Sequence, residues 1–371
     1  MVGLAQSIMA WSSIDYDLVK EVTRNTQSLV PVLVVGSGVA GLSAGIYTAR
    51  AHLYTVVMAG GEPGGQLMGS SLVENMPGVP AESGYKIINR MEKQAKEAGV
   101  HFLDDTAEAI EVAADGDHFI VHTEQGRTMH ALTIIIATGA FPHKLAVPGE
   151  ELFTNYGVFT CAVCDCRQAT GKSVVVVGGG DSAIETVMHL APYAQKITLL
   201  VRGDRMRASV ALQDKLKKYD HVTVQYQTKI TEIVGTFDSE NFDEQENGSW
   251  MTGIMAQNAQ TQETSFVPAE CAFVAIGHKP NSALFASLIS LDAQGYIQLQ
   301  GRTQLTSRSG IFAAGDVTDP RYKQAGRASG DAAAAGLDAI AYLHEQGFSV
   351  ALADELAPWY FQDVRKEEDE N

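Results

Sequence analysis

The chain has 371 residues, enough for two domains of ordinary size with a buried core in each. Apolar residues make up 45% and charged residues 19%, which places it among globular chains and outside the disordered class. The net charge of −17 argues against nucleic acid or an anionic membrane as partner, and no run reaches the length of a membrane span.

The opening MVGLAQSIMA lacks the basic stretch and long apolar core of a signal peptide. Four cysteines in a chain of this length are not a secreted disulfide framework, so a cytoplasmic protein is expected. Residues 1–30 read as an N-terminal extension: a short helix and an approach to the first strand. At Pro31 the pattern sharpens. PVLVV (31–35) is an apolar run of strand length, GSGVAG (36–41) follows at once, and LSAGIYTAR is helix-like. This is the strand–glycine turn–helix pattern of a dinucleotide site. Gly36 permits the tight turn, Gly38 lets a pyrophosphate approach the backbone, and Gly41 lets helix and strand pack closely. Ser37 and Ala40 complete the turn. Two β-type runs, HFIVHT and LTIII, then lead to Ala137-Thr138-Gly139.

Next comes TCAVCDCRQA (160–169), with three of the four cysteines: Cys161, Cys164 and Cys166. Three readings are open. The CxxC spacing suits a reversible disulfide, with Asp165 directly after it to give and take protons. A zinc site would need a fourth ligand such as His189, and no second CxxC exists. The cysteines could also be small buried side chains. Their place between two dinucleotide patterns favours the redox reading.

The second pattern is SVVVV (173–177), GGGDSA (178–183) and AIETVMHL. Gly178, Gly180 and Ala183 take the three turn positions, with Asp181 and Ser182 between them. The next strand, KITLLV, carries no acid at its end to hold a ribose 2′-hydroxyl. It runs instead into Arg202, Arg205 and Arg207, which suit a 2′-phosphate and so NADPH. TEIVG, TGIMAQ and CAFVA follow, closing at Ala275-Ile276-Gly277, and the acidic stretch 238–249 among them reads as a solvated hairpin loop. Cys271 falls in a strand expected to be core. The interval from first to closing glycine is nearly the same in both halves. The fold class is therefore α/β: two Rossmann-like domains of similar plan, each a parallel sheet with a β-meander. Two such domains suggest a flavin and a nicotinamide that exchange hydride. A third segment, GIFAAGDV (310–317) and an alanine-rich helix over 325–342, belongs to neither repeat, and the tail, ending VRKEEDEN, reads as frayed.

These motifs resemble those of the low-molecular-weight thioredoxin reductases, two-domain pyridine nucleotide-disulfide oxidoreductases. The matching pieces are GSGVAG, GGQL (64–67), VENMPG (73–78), IIATGA (135–140), CAVCD (161–165), GGGDSA, AIGHKPN (275–281), GIFAAGDV and KQA (323–325). The resemblance implies an FAD domain from 31–147 and 277–345, with the NADPH domain (148–276) inserted, and a C-terminal tail over 346–371. Gly65, Gln66, Asn75, Thr138 and Gly139 match the family's FAD contacts. Asp316 would lie by the FAD chain, and Gln324 and Ala325 by the isoalloxazine. The implied chemistry passes hydride from NADPH to FAD and electrons to a Cys161–Cys164 disulfide, with Cys164 nearer the flavin and Asp165 handling the proton. The dithiol then reduces thioredoxin. The NADPH domain would swing between two poses. A homodimer and no metal are implied.

The family's His-Arg-Arg-x-x-x-Arg row becomes Val201-Arg202-Gly203-Asp204-Arg205-Met206-Arg207, so weaker discrimination against NADH is expected. Cys166 stands where glycine is usual, and Lys323 where arginine is usual in contact with the partner. Two alternatives stay open: the same scaffold with a ferredoxin-type donor or another disulfide acceptor, and a flavin-binding sensor without turnover.

Overall fold

The structure, a computed structural model, describes residues 14–17, 19–21, 28–114, 116–236 and 250–361. The acidic loop 238–249 and the VRKEEDEN end lie outside the described residues. The chain forms two compact units, one from the residues up to Phe141 and from Lys279 onward, the other from Pro142–His278.

The first unit opens with β1 (Leu29–Val35), every residue of which is buried. Its apolar run has no polar face to offer water, so it takes the centre of a parallel sheet. Helix α1 (Val39–Arg50), strand β2 (Thr55–Met58), helix α2 (Gly84–Glu97) and strand β3 (Val100–Leu103) follow. Then come β4 (Ala107–Val112), β5 (Phe119–Thr123), β6 (Thr128–Ile136) and the connecting strand β7 (Ala140–Pro142). The sheet order is β3-β2-β1-β6-β5-β4. Strand β6 does two jobs. Residues 128–131 pair antiparallel with β5 on one side, and residues 130–136 pair parallel with β1 on the other. The meander is thus continuous with the parallel sheet.

In the second unit β8 (Val158–Phe159) precedes a short helix α3 (Ala162–Asp165). Strand β9 (Ser173–Val177), helix α4 (Asp181–Leu190), strand β10 (Lys196–Leu200), helix α5 (Val210–Leu216) and strand β11 (Val222–Gln225) complete the first stretch. After them come β12 (Thr228–Thr236), β13 (Trp250–Asn258), β14 (Thr264–Pro268), β15 (Cys271–Val274) and the returning strand β16 (His278–Pro280). The parallel sheet runs β11-β10-β9-β15-β8, and β12-β13-β14 form a separate antiparallel sheet. Here the work of β6 is split. Strand β14 closes the meander, β15 enters the parallel sheet, and the break follows Pro268, where proline cannot continue the ladder. The two units share the plan read from the sequence as a duplication.

The sequence reading put the changes of unit at 147/148 and 276/277. The chain instead divides on either side of Pro142–His278, because Leu145 and Val147 pack into the second unit's core around Ile233 and Ile254.

Back in the first unit, β17 (Ile311–Ala313) adds to β6, and the GDV segment follows it. Helix α6 (Ala325–Glu345) lies on α1 through small residues. The Ser43 and Ser329 hydroxyls meet at 2.9 Å, and a Cβ at Gly336 would sit 3.0 Å from that of Tyr47. Helix α7 (Val350–Leu356) and a turn (Ala357–Trp359) bring Leu356, Tyr360 and Phe361 into the core, so this stretch of the tail is built in. Among the described residues no helix is long and apolar enough to cross a membrane.

Two glycines of α6 separate packing from propensity. Gly330 is exposed with open space around it. Gly330→Ala should stabilise the first unit by up to about 1 kcal/mol. Gly336→Val should cost about 1–3 kcal/mol through overpacking against α1. Chemical denaturation of both variants checks the opposite signs.

Candidate active site

The turn after β1 admits no side chain. A Cβ on Gly36, whose φ is +110°, would collide with the Ala137 carbonyl oxygen, and one on Gly41 with that of Gly36. Gly38 is different: a Cβ there would approach nothing nearer than 3.8 Å. Its missing side chain keeps space open at the start of α1, as a phosphate cradle requires. Gly65 lies across that space, where a Cβ would stand 3.3 Å from the Gly38 Cα. Ser37 is buried and staples the loop down: its hydroxyl donates to the Ala59 carbonyl (3.0 Å) and accepts from the Gly64 N–H (2.9 Å). Ala40 packs under the GDV segment, with Gly315 at φ +81° directly above it.

The other sequence-predicted residues of this unit gather in linked pairs. The Gln66 amide donates to the Ala140 carbonyl. The Asn75 amide donates to Gln324 Oε1 at 3.3 Å, and Gln324 sits at the N-cap position of α6 ahead of Ala325. Asn281, not assigned a role from the sequence, fixes the closing motif. Its amide donates to the Thr138 carbonyl (2.8 Å), its backbone N–H to that of Gly139 (3.0 Å), and its carbonyl accepts the Thr138 hydroxyl (2.6 Å).

Asp316 and Asp319 behave oppositely. Asp316 has no side-chain hydrogen bond among the described residues. Burial, helped by the Asp319 charge, pushes its carboxyl up to about 6. Burial also raises Asp319, but backbone N–H groups of Tyr322, Arg321 and Lys323 at 2.9–3.0 Å and the Arg327 charge outweigh it, and its pKa is lowered. Asp319 thereby shapes the turn before Gln324. Lys323 takes φ +48° there and points its ammonium at the Pro320 carbonyl (2.7 Å), an internal strut. An Asp-Pro pair at 319–320 was the available sequence signal for this turn.

The second unit repeats the cradle. A Cβ on Gly178 would collide with the Ala275 carbonyl oxygen and stand 2.8 Å from the Ala183 Cβ, while Gly180, at the N-cap position of α4, faces open space. The arginine loop is tied to this turn by backbone. Gly179 accepts from the Arg207 and Ala208 N–H groups, and Asp181 accepts from the Ser209 N–H at 2.7 Å. Asp181 is thus a tether; Gly179 and Ser209 were missed because nothing local marks them. Ser182 is exposed beside it. Arg202, Arg205 and Arg207 are all exposed, and among the described residues none has an ion-pair partner.

Cys161 and Cys164 form a disulfide, with Cα atoms 5.3 Å apart. Cys161 caps the short helix α3, its sulfur accepting the Cys164 N–H at 3.2 Å. Cys164 is exposed, as is Val163 between them. The disulfide takes two of the thiols a zinc site would have used. Burial alone pushes the Asp165 carboxyl up to about 6. Cys166 is a half-buried free thiol packed on the unit's core. Cys271 is fully buried in β15, donates to the Gln168 carbonyl, and is pushed up to about 12 by burial, so it is inert.

This fold, with a disulfide carried on its second dinucleotide domain, defines a dinucleotide-dependent disulfide oxidoreductase. The chain belongs to the pyridine nucleotide-disulphide oxidoreductase family, whose pattern matches residues 30–332. A thioredoxin reductase of Rickettsia felis is 39% identical over 315 residues, covering 85% of this chain and 98% of its own. The NADPH-dependent thioredoxin reductase 3 of Arabidopsis thaliana is 38% identical over 84% of this chain and 58% of its own. Among solved structures, thioredoxin reductase from Giardia duodenalis superposes with a TM-score of 0.78 at 35% identity, covering 85% of this chain and 99% of that one. The enzyme from Streptococcus pyogenes gives 0.77 at 33%, covering 86% and 99%.

Asp165 is raised above its ordinary 3.8 and so favours the folded state when protonated. That contribution is complete below pH ~3.8 and is lost as pH rises through about 6. Asp165→Asn should therefore flatten the fall in stability across this window by roughly 2–3 kcal/mol. Denaturant titrations at the two ends of the window measure it.

Proposed function

We propose that the protein uses NADPH to reduce the disulfide of thioredoxin, with FAD and the Cys161–Cys164 pair between them. The observation that carries this reading is the formed disulfide, on a turn with Cys164 exposed and Asp165 beside it, in the unit that bears the arginine row. The relatives named above are thioredoxin reductases over most of this chain.

Gly36, Ser37, Gly38, Ala40, Gly41, Gly65, Gln66, Asn75, Thr138, Gly139, Asp316, Gln324 and Ala325 would hold FAD. The open space at Gly38 fits such a group, as does the carboxyl of Asp316, which has no side-chain hydrogen bond among the described residues and could accept from hydroxyls of the FAD chain. Gly178, Gly180, Asp181, Ser182 and Ala183 would hold the pyrophosphate of NADPH, and Arg202, Arg205 and Arg207 its 2′-phosphate. When bound, nicotinamide and flavin supply the two electrons that open the disulfide. Opening the sulfur–sulfur bond with two electrons leaves two sulfurs that take up two protons. Asp165, with a pKa of about 6, is close enough to working pH to deliver one and recover it. One thiolate then attacks the partner's disulfide, and the second cysteine resolves the mixed disulfide, so the pair closes again. Lys323 is an internal strut here, which leaves docking to other residues. A cytoplasmic homodimer is the setting this reading carries, in keeping with the few cysteines and the family resemblance.

The test is NADPH oxidation by the purified yellow protein with and without oxidised thioredoxin, with NADH in parallel. Oxidation should require thioredoxin and favour NADPH. Cys161→Ser and Cys164→Ser should abolish thioredoxin reduction while the flavin is still bleached by NADPH, and Cys166→Ser should keep most activity. Asp165→Asn should lower turnover by about 10²-fold and remove the limb near pH 6 from the kcat profile. If the flavin bleaches but thioredoxin adds nothing, the partner is wrong.

A further inference from the structure

The family pattern ends at residue 332 and begins at residue 30, so the two ends of this chain lie outside it. Their described parts are nevertheless deeply built into the first unit. Ile14 and Val19 from one end, and Phe348, Leu356 and Tyr360 from the other, are buried in the same apolar core. The ends also touch each other. The rings of Tyr16 and Phe348 meet edge to face at 6.0 Å, and Lys20 pairs with Glu355 at 3.0 Å.

The places they grip are specific. Tyr360 bridges to Leu29, the first residue of β1, and the Phe361 N–H donates to the Leu29 carbonyl at 2.9 Å. Tyr54, just before β2, donates its hydroxyl to the Phe361 carbonyl at 2.6 Å and stacks on Tyr360 at 4.7 Å. The tail thus continues the ladder beside β1 at the point where β2 has not yet begun. At the other end, the Asp15 N–H donates to Asp117 at 2.9 Å, and Phe348 folds back on α6 with its N–H on the Leu343 carbonyl at 2.8 Å. Two elements are therefore held: β1 by its start and α6 by its finish. The opposite end of β1 is the Gly36 turn, and the opposite end of α6 is Gln324-Ala325. Both far ends belong to the cradle assigned above to FAD.

We infer that the two terminal extensions form one clasp that fixes β1 and α6 along their lengths and so sets how tightly the first unit retains its flavin. The inference rests on the FAD reading of that cradle. Because a strand and a helix move as rigid pieces, fixing one end restricts the other, and order prepaid in the free protein is not charged to binding.

The experiment uses the full-length holoprotein. Flavin release is followed by its fluorescence on dilution and on heating, and amide hydrogen exchange is followed in both extensions. Tyr360→Ala loses the stack on Tyr54, the bond to the Ala353 carbonyl and a buried ring. It should release flavin at least about tenfold faster and lower the Tm by about 5 °C or more. It should also raise exchange at residues 14–21, in the opposite extension. Tyr54→Phe, which removes one hydroxyl, should act in the same direction by a few-fold, about the worth of one hydrogen bond, and carries the test if Tyr360→Ala does not fold. Unchanged exchange at residues 14–21 in Tyr360→Ala would show two independent extensions and overturn the clasp. A lowered Tm with flavin release unchanged would overturn its role in retention. If the wild-type protein binds no flavin, the FAD reading fails, and the exchange data still decide whether the clasp exists.

Discussion

The structure depends on backbone pressed against backbone. At Gly36 and Gly178 a turn lies so close to the end of a neighbouring strand, at Ala137 and Ala275, that only hydrogen fits on the Cα. This contact fixes where each following helix starts and which way its N–H groups point. The open positions, Gly38 and Gly180, have meaning only because the closed ones are fixed. The two units meet the third requirement differently. In the first, Gly41 itself presses on the Gly36 carbonyl; in the second, Ala183 is tolerated, and its methyl becomes one more reason Gly178 can carry no side chain. The same geometry is reached with one methyl moved.

Carboxyl groups show a second division. Asp105 and Asp319 are buried, yet each is held below its ordinary range because hydrogen bonds outweigh burial: to Asp105 from Thr123, Arg127 and backbone, to Asp319 from backbone with the Arg327 charge behind them. Both are structural. Asp165 and Asp316 are half-buried, have no side-chain hydrogen bond among the described residues, and are pushed up to about 6. A fold that satisfies its structural acids and leaves two others short of donors marks those two as waiting for something else. Both lie in motifs singled out from the sequence. The cysteines divide in the same way. Cys271 is sealed in a strand, Cys166 lines a core, and the remaining pair is joined on an exposed turn.

What was legible in the sequence was what is local. A run such as PVLVV followed by GSGVAG specifies strand, turn and helix within a few residues, and its recurrence at SVVVVGGGDSA revealed the duplication. What escaped depends on distant partners. Nothing near Asn281 shows that it will grip Thr138 and Gly139, and nothing near Ser209 shows that Asp181 will receive its N–H. The split of one long strand into β14 and β15 had a cue in Pro268, but its consequence depends on which sheets the two pieces join. The tail misled for a related reason. Its last residues are charged, and that polarity hid a short helix and two aromatics ending in the core.

The arginine row shows how far a departure from pattern reaches. Its position does not come from the arginine side chains, which have no ion-pair partners among the described residues. It comes from the Gly179 carbonyl, the Asp181 carboxylate, and N–H groups of Gln227 and Thr228 that close on Gly203 and Val201. Gly203 is part of that scaffold: a Cβ there would stand only 3.3 Å from the Arg205 carbonyl oxygen. Glycine at this point leaves the row one charge short of the family's pattern and relieves that close approach. The Arg202, Arg205 and Arg207 guanidinium groups are exposed and have no ion-pair partner among the described residues, and on the reading proposed above each would contribute modestly to holding the 2′-phosphate. On the NADPH reading proposed above, preference for a phosphorylated ribose would scale with the number of arginines, while the place of the loop rests on backbone bonds in which their side chains take no part.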